Sequence, residues 1–388
     1  MTTAPPPRAP IAATHHEALR KTVRRFTEHE IAPHLDAWER AGEVPRGLHA
    51  SAAKLGLLGI GFPEEVGGAG GDYTDVVAMT EAFCEAGASS GLLAALFTAG
   101  IAVPHMAAVG DPSLVDRFVR PTLAGEMVGA LGVTEPDGGS DVAAIRTRAR
   151  RDGDHYVVNG AKTFITSGAR ADFVTTAVRT GDAGRTGVSL LVVETGTPGF
   201  TVSRRLDKMG WLCSDTAELS FDDARVPVAN LVGEENGGFG LLMQQFVAER
   251  LGLAVHAYGI AQRCLDLTRG YVAVRETFGR PLVSRQVVQH QLVEMHRRID
   301  VARVYTREVA RRYAEGQEPI VEACLAKNTA VEACDHVVDR AVQLHGGAGY
   351  MRDSEVERHY RDARILGIGG GATEVLTDLS AKLLGFTS

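Results

Sequence analysis

The sequence predicts a mainly helical protein with a central β domain, because the spacing of its apolar residues changes twice along the chain. From about residue 14 to 126 apolar residues recur at helical intervals, and this periodicity returns over longer stretches from about 233 onward. Between about 127 and 232, short runs rich in β-branched and aromatic residues alternate with Gly, Asp and Pro. We therefore expect a flexible tail at 1–13, a helical domain at 14–126, a β domain at 127–232 and a helical bundle domain at 233–388.

Composition excludes several classes of protein. The chain has 388 residues with 41 Lys+Arg and 48 Asp+Glu, so its formal net charge is −7. A mildly acidic chain lacks the basic footprint of a nucleic-acid-binding protein, and no apolar run approaches the roughly 20 residues that span a membrane. The five cysteines form no CxxC pair, and the N-terminus has no apolar signal-peptide core. These features predict a cytoplasmic protein with reduced thiols.

The first helical region carries one apolar stripe with an interruption. Six apolar residues at intervals of three to five form the stripe: Leu19, Val23, Phe26, Ile31, Leu35 and Trp38. Pro33 lies inside it and predicts a kink, because Pro has no N–H to donate. Thr14 and Glu17 have the spacing of a capping box, which predicts that the helix begins at Thr14.

The middle region is predicted to hold several strands. Strand patterns occur at 173–178, 188–193, 200–203 and 218–221. Upstream, the segments 156–158 and 162–166 flank Asn159-Gly160, the dipeptide that favours a type I′ turn. We therefore expect a hairpin that reverses at Asn159-Gly160.

The last region contains the longest helical pattern. Eight apolar residues near 4-3 spacing predict a bundle helix: Val288, Leu292, Met295, Ile299, Ala302, Tyr305, Val309 and Tyr313. On the same helix His290, Glu294 and His296 do not share one face, so we expect no metal site there. Residues 367–372 match GxGxxA, but the remaining chain has no room for the βα unit of a dinucleotide-binding site.

Four separated motifs resemble the acyl-CoA dehydrogenase family of flavoproteins over roughly residues 14–386. They are LGVTEP at 131–136 with GSD at 139–141, KTFIT at 162–166, RETFG at 275–279 and QLHGG at 343–347. The resemblance implies an N-terminal helical domain, a β-barrel-like middle domain and a C-terminal four-helix bundle, assembled as a homotetramer. It also implies FAD and the α,β-dehydrogenation of an acyl-CoA thioester to the trans-2-enoyl-CoA.

The resemblance further implies which residues bind the cofactor. These are Leu131, Val133, Thr134, Ser140, Phe164, Thr166, Arg275, Phe278, Gln286, Gln343, Gly346, Gly347, Ala372 and Glu374. Val133 and Thr134 would meet the flavin pyrimidine, and Ser140 would contact the pyrophosphate. Phe164 would cover one ring face, with Thr166 near the N5 edge.

Six of these cofactor residues are assigned to the adenosine half of FAD by the same resemblance. Arg275, Phe278 and Gln286 would reach that half of a neighbouring subunit's cofactor. Gln343, Gly346 and Gly347 would line it. An anionic pyrophosphate suits Arg and bare backbone N–H donors.

The position of the catalytic base distinguishes subgroups of the family. Many members carry a Glu where this chain has Gly370, after the Tyr-Arg-Asp-Ala run at 360–363. Isovaleryl- and long-chain-type members instead place a Glu before an Arg in the first long helix of the C-terminal domain, and Glu249-Arg250 matches that pattern. Glu249 would therefore be the base that abstracts the α-proton. We expect burial to raise the pKa of its carboxyl.

Other residues around the base follow from the same resemblance. Gly370 would lend its N–H to the thioester oxygen, as in an oxyanion hole. The substrate would also contact Ser140, Phe246, Arg250 and Gly371. Glu374 and Asp362 are competing acids; we expect Asp362 to pair with an Arg.

Alternatives remain open from the sequence. A related flavoenzyme could act on a carrier-protein-bound acyl group or use oxygen as an oxidase, and a non-catalytic relative is a third reading. The Glu249 placement favours medium-to-long or branched acyl chains. By resemblance only, an electron-transfer flavoprotein is the expected acceptor.

Overall fold

The computed structural model describes residues 11–386, and its N-terminal part is helical. The helices are α1 (Ile11–Phe26), α2 (Leu35–Ala41), α3 (Arg46–Lys54), α4 (Tyr73–Glu85), α5 (Ser90–Leu96), α6 (Ala99–Ala102), α7 (Pro104–Val109), α8 (Pro112–Leu114) and α9 (Arg120–Leu123). Helix α1 already includes Thr14, so the prediction that the first helix begins at that residue is wrong. The expected tail lies, for residues 1–10, outside the described part of the chain.

The predicted interruption near Pro33 is confirmed. A π-helical turn at Thr27–Ile31 follows α1, and helix geometry resumes only at Leu35. Ile31 comes five residues after Phe26, and the wider π-helical turn between them lets both side chains be buried. The bend therefore keeps one apolar stripe facing the core across a break in the helix.

The middle of the chain forms one mixed sheet. Its strands are β1 (Gly129–Gly132), β2 (Arg148–Asp152), β3 (His155–Thr166), β4 (Phe173–Arg179), β5 (Val188–Glu194), β6 (Phe200–Arg205), β7 (Thr216–Pro227) and β8 (Leu231–Val232). The order is β6-β7-β3-β2-β4-β5-β8, with β1 added parallel to β4. All four strand patterns predicted from 173 onward are found in β4 to β7.

The sheet curls around its own apolar core without closing. Side chains from β3 to β7 meet in one cluster that includes Tyr156, Val174, Leu191 and Phe221. The end strands β6 and β8 do not pair with each other in the described residues, so the barrel-like shape stays open. The opposite face of β4 and β5 packs on the short helices α6 to α9, which is why both strands are buried on both sides.

The hairpin predicted at Asn159-Gly160 is wrong, because both residues lie inside the continuous strand β3. Asn159 exchanges two hydrogen bonds with Asp223 on β7, both of 2.9 Å. The register with β7 shifts between Val158 and Gly160, which marks a β-bulge. The actual reversal is the two-residue loop between β2 and β3, where Gly153 has a φ of +63°.

The C-terminal part is a helical bundle that shares its core with the N-terminal helices. It contains α10 (Gly238–Val274), the two-stranded hairpin β9 (Glu276–Thr277) and β10 (Arg280–Pro281), α11 (Gln286–Ala314), α12 (Ile320–His345), α13 (Glu355–Ala363) and α14 (Thr373–Leu383). Helices α10, α11 and α12 pack together and against α4, with Phe83, Tyr258 and Met295 in the common core. The apolar stripe predicted for α11 is confirmed, since Val288, Met295, Ile299, Ala302 and Val309 are buried.

Two further observations complete the description. No helix within residues 11–386 is long and apolar enough to cross a membrane. All five cysteines are buried as free thiols.

We predict that Gly160→Ala destabilises the protein by about 3 kcal/mol, because the backbone there is strained for other residues and crowded. Gly160 has a φ of +144°, and an added Cβ would lie 2.7 Å from the Thr147 Cα. Gly153→Ala is the matched control: its φ is also positive, but no atom lies within 4 Å of the added Cβ. Urea unfolding should show a loss of only about 1 kcal/mol for the control, and equal losses in the two variants would contradict the crowding argument.

Candidate active site

The carboxylate of Glu249 faces a cavity between the helical and β regions. Glu249 lies in the fourth turn of α10 and is half-buried. The cavity is lined by Gly100, Ile101, His105, Leu131, Gln245, Phe246 and Glu249. It therefore lies where α6, α7, β1 and α10 meet, and the side chain expected to act as a base is one of its walls.

Glu249 is not a solvated surface residue held by an ion pair. It makes no hydrogen bond or ion pair within the described residues, although nearby cations act on it at longer range. Burial raises the pKa of this carboxyl, while Arg250 and Lys327 act in the opposite direction. A carboxylate in such a place holds a proton more tightly than an exposed one, which suits a proton acceptor.

The glycine-rich segment before α14 lies directly against Glu249. Gly370 and Gly371 both have left-handed backbones, with φ of +63° and +99°. A Cβ added at Gly370 would lie 3.5 Å from the Glu249 Oε1 and 2.4 Å from the Leu253 Cδ1. The structure thus brings together the two positions that the sequence singled out, and a side chain at 370 would enter the space that Glu249 faces.

One residue that sequence reasoning missed holds this glycine segment. The ammonium group of Lys327, on α12, donates hydrogen bonds to the Gly369 carbonyl at 2.6 Å and to the Gly371 carbonyl at 2.5 Å. Lys327 is fully buried. Burial lowers its pKa to about 8, and the nearby Glu249 opposes this shift. No local pattern in α12 could reveal it, because its acceptors lie more than forty residues further along the chain.

His105 is the second residue that the sequence did not reveal. It is 1% exposed, and neither ring nitrogen has a partner within the described residues. Burial lowers its pKa to about 4, so the ring is neutral near pH 7. It adds a polar but uncharged group to a cavity wall that also contains Gln245 and Glu249.

Arg250 and Phe246 lie beside the base. Arg250 is buried, and its guanidinium stands 5.6 Å from the centre of the Phe246 ring, within the range of a cation–π contact. The Arg250 Nε has no hydrogen-bond partner in the described part of the chain. Phe246 itself contributes to the cavity wall, whereas Ser140 is exposed on the loop after β1.

The loop after β1 is held from inside by a buried ion pair. Lys162 on β3 donates to the Glu135 carboxylate at 2.8 Å and to the Val133 carbonyl at 3.0 Å. The same carboxylate accepts the backbone N–H groups of Arg146 and Thr147. Lys162 and Glu135 therefore fix the backbone of this loop from the inside.

Phe164 and Thr166 lie at the end of β3 near that loop. Phe164 is 68% exposed and has a φ of +59°, a conformation that side-chain-bearing residues rarely adopt. Thr166 is half-buried. An exposed aromatic ring on a strained backbone is a feature that folding alone does not favour, which indicates a functional constraint.

The remaining predicted cofactor residues form a separate group. The RETFG motif is the β9–β10 hairpin, whose turn residues Phe278 and Gly279 both have positive φ. This turn projects Phe278, which is 98% exposed. Arg275, Gly346 and Gly347 line a second groove, with Tyr271 stacked on His345 at 4.3 Å between ring centres.

The other members of that group are exposed or lie at a helix end. Gln286 and Gln343 are exposed at the start of α11 and near the end of α12. Ala372 immediately precedes α14, and Glu374 is exposed in its first turn. Among the predicted cofactor residues, only Leu131 lines the Glu249 cavity.

Asp362 does not pair with an Arg as the sequence suggested. Its carboxylate accepts the backbone N–H of Trp211 at 2.6 Å and that of Gly91 at 3.2 Å. Burial raises its pKa to about 6, and the negative charge of Glu39 adds to the effect. Asp362 therefore connects the N-terminal, middle and C-terminal regions and has a structural role. The sequence suggested an Arg partner because a pattern of charged side chains contains no information on backbone N–H donors.

Comparison with known proteins identifies the family along the whole chain. Residues 13–126, 130–224 and 236–385 match the N-terminal, middle and C-terminal domains of acyl-CoA dehydrogenases. The pig mitochondrial long-chain specific acyl-CoA dehydrogenase is 38% identical over 376 residues, covering 96% of this chain and 87% of that protein.

Solved structures agree with this relationship. A Mycobacterium smegmatis chain assigned to the acyl-CoA dehydrogenases is 65% identical, with a TM-score of 0.95 over 96% of this chain and 98% of the other. A chain from the structural work on the electron transferring flavoprotein of Acidaminococcus fermentans is 33% identical, with a TM-score of 0.90 over 95% of this chain and 97% of that one. With all three domains matched in order, the chain belongs to the acyl-CoA dehydrogenase family of flavoprotein oxidoreductases.

Proposed function

We propose that this protein is an FAD-dependent acyl-CoA dehydrogenase in which Glu249 takes the α-proton of the thioester. The observation that carries the proposal is the contact between two positions: an added Cβ at Gly370 would lie 3.5 Å from the Glu249 Oε1. A base on α10 and a base on the glycine segment would therefore address the same point in space. Family membership supports the reaction class.

The residues on the loop after β1 and at the end of β3 fit a flavin. Phe164 offers an exposed aromatic face. An added Cβ at Gly139 would come within 3.0 Å of the Thr134 Cγ2, so a larger residue there would crowd Thr134. Val133, Thr134, Ser140 and Thr166 would hold the flavin half by backbone and hydroxyl groups. When bound, the flavin supplies the acceptor for the hydride from the substrate β-carbon.

The second group of residues fits the adenosine half of a cofactor carried by a neighbouring subunit. Phe278 is 98% exposed at the tip of its hairpin, which favours cover by another chain. Beside the hairpin, added Cβ atoms at Gly346 and Gly347 would meet nothing within 4 Å, so the backbone is open to a ligand. We therefore propose a homotetramer in which Arg275, Phe278 and Gly346 complete the partner's site, together with Gly347, Gln286 and Gln343.

The chemical step assigned to this chain is a proton transfer with stabilisation of the resulting charge. Glu249 accepts the α-proton, and its raised pKa makes it a stronger base than an exposed carboxylate. The Gly370 N–H would donate to the thioester oxygen, where negative charge develops. Phe246 would exclude water beside the reacting carbons, and Arg250, Ser140 and Gly371 would contact the substrate.

The physiological setting follows by analogy. We propose medium-to-long or branched acyl-CoA as substrate, since the base placement and the long-chain specific relative agree. An electron-transfer flavoprotein is the proposed acceptor, in keeping with the study in which one related chain was solved. We propose a cytoplasmic location.

We expect Glu249→Gln to lower kcat by about 10³-fold, because the amide cannot accept the α-proton. The measurement is turnover of an acyl-CoA panel with an artificial electron acceptor, normalised to flavin content. Asp266→Asn is the matched control, because Asp266 is an exposed acid on the same helix, paired only with Gln262 and Arg269. Turnover near the wild-type rate in Glu249→Gln would contradict the assignment of the base.

A second variant tests the spatial equivalence of the two positions. Relative to Glu249→Gly, the double variant Glu249→Gly with Gly370→Glu should regain turnover by about 10-fold, because a Glu at 370 starts from a Cβ beside the original carboxylate. The new side chain must displace the Leu253 Cδ1, which is the flexible end of a side chain. A double variant no faster than Glu249→Gly would indicate that the glycine segment cannot present a base here.

The pH dependence of kcat/KM should report the same carboxyl. Glu249 acts only when ionised, so activity should be lost as pH falls through its pKa. Because burial raises this pKa against the opposing charges of Arg250 and Lys327, the acid limb should lie above the ordinary value of 4.5. A pH–rate profile of the wild-type enzyme checks this, and a limb at or below 4.5 would mean that Glu249 is not desolvated when it reacts.

A further inference from the structure

Lys327 is the only side chain in the described residues that hydrogen-bonds two carbonyls of the Gly369–Gly371 segment. Its ammonium group lies 2.6 Å from the Gly369 oxygen and 2.5 Å from the Gly371 oxygen. The two carbonyls flank Gly370, whose N–H is the proposed donor to the thioester oxygen. The buried ammonium group of Lys327 therefore holds the segment on both sides of Gly370.

The chemistry of the peptide unit connects the ammonium to that donor. The Gly369 carbonyl and the Gly370 N–H belong to one peptide group, and in a trans peptide they point in opposite directions. An ammonium on the carbonyl oxygen therefore sets the plane of the group and directs the N–H away from Lys327. It also strengthens the N–H as a donor, because hydrogen bonds in series polarise one another and charge-assisted bonds are the strong ones.

The segment needs an external clamp because it has little stiffness of its own. Gly370 and Gly371 have positive φ, and glycine adopts positive and negative φ about equally readily, so neither residue is confined to its present conformation. A donor to an oxyanion must be held in place before the reaction, since reorientation during the step would cost the advantage. The neighbouring α12 is a 26-residue helix, so Lys327 anchors a flexible loop to a rigid element.

The surroundings of Lys327 disfavour its charged form on balance, because burial outweighs the nearby carboxylate. Glu249 and Arg250 on α10 and Cys324 on α12 are the ionisable groups that act on it. The carboxylate favours the ammonium form, whereas Arg250 and burial disfavour it. A fully buried lysine is retained here at an energetic disadvantage that a neutral residue would avoid.

We propose that Lys327 is a positioning residue for the dehydrogenation, which orients and polarises the Gly370 N–H toward the thioester oxygen. The inference rests on the proposed function, because it presumes that an acyl thioester reacts beside Glu249. It assigns a role in the reaction to a residue that touches neither the reacting carbons nor the thioester.

The test compares Lys327→Met with the wild-type holoenzyme. The methionine side chain is similar in length to that of lysine, but it lacks the ammonium group that donates both hydrogen bonds. We expect flavin content and Tm to stay near the wild type, KM to change by less than about 3-fold, and kcat per bound flavin to fall by about 10²-fold. Lys382→Met is the matched control, because Lys382 is an exposed lysine at the end of α14; it should behave as the wild type.

A second readout isolates α-deprotonation from hydride transfer. In a 3-thiaacyl-CoA the β-carbon is replaced by sulfur, so the α-proton can leave but no β-hydride can follow. The long-wavelength charge-transfer band of the bound anion, titrated against pH, then measures how well the site stabilises the enolate. We expect the midpoint for Lys327→Met to lie about one pH unit higher than for the wild type.

Each outcome decides the matter. An unchanged kcat per flavin with an unchanged titration midpoint overturns the inference, as does a variant that only loses flavin or Tm while its remaining holoenzyme turns over normally. If Lys327→Met does not fold, Lys327→Gln retains a shorter neutral donor and the same titration applies. A wild-type enzyme that neither oxidises acyl-CoA nor forms the band overturns the proposed function itself, which separates the two failures.

Discussion

The candidate site depends on the absence of a side chain at residue 370. A Cβ there would overlap the Leu253 side chain and touch the Glu249 carboxylate, so any side chain at this position would crowd Glu249. The same residue has a φ of +63°, which lets the chain pass close to α10. The glycine thus leaves space beside Glu249 and brings bare backbone close to its carboxylate.

The surrounding fold explains why these parts stay together although they come from distant parts of the chain. Helix α10 forms one wall of the cavity, and α6, α7 and β1 form the others. Asp362 fixes the three regions to each other through the N–H groups of Gly91 and Trp211. Tyr73 adds a further tie, since its hydroxyl donates to the Ala248 carbonyl beside the base. The site therefore depends on contacts between regions more than on any single motif.

Local periodicity correctly predicted the helices and strands that depend on nearby residues. It failed where a residue distant in the sequence determines the local structure. The α11 stripe and strands β4 to β7 follow from which residues are apolar and how they alternate. Asn159-Gly160 has the composition of a turn, but its partner Asp223 lies on a strand more than sixty residues away, so a bulge formed instead. Lys327 and Asp362 were missed or misassigned for the same reason, since both bond backbone groups that no side-chain pattern records.

The site residues divide along the same line. Glu249 and Gly370 could be singled out because family members differ in which of these two positions carries a Glu. The structure brings the two positions close together. Arg275 and Phe278 were equally visible in sequence, but neither residue lines the Glu249 cavity. His105 carried no signal at all, because an isolated buried histidine looks like any other core residue.

Placing the base on a helix also has an electrostatic consequence. Before reaction, Glu249 carries a negative charge close to the positive charges of Arg250 and Lys327. In the proposed reaction the carboxyl becomes neutral when it accepts the α-proton, and the two cations would then lie beside a substrate that has become negative. The charge that these cations stabilise therefore moves from the carboxylate to the enolate without a change in the net charge of the cavity. A low-dielectric site penalises a change in net charge more than a short displacement of the same charge, so this arrangement would lower the barrier of the proposed proton transfer.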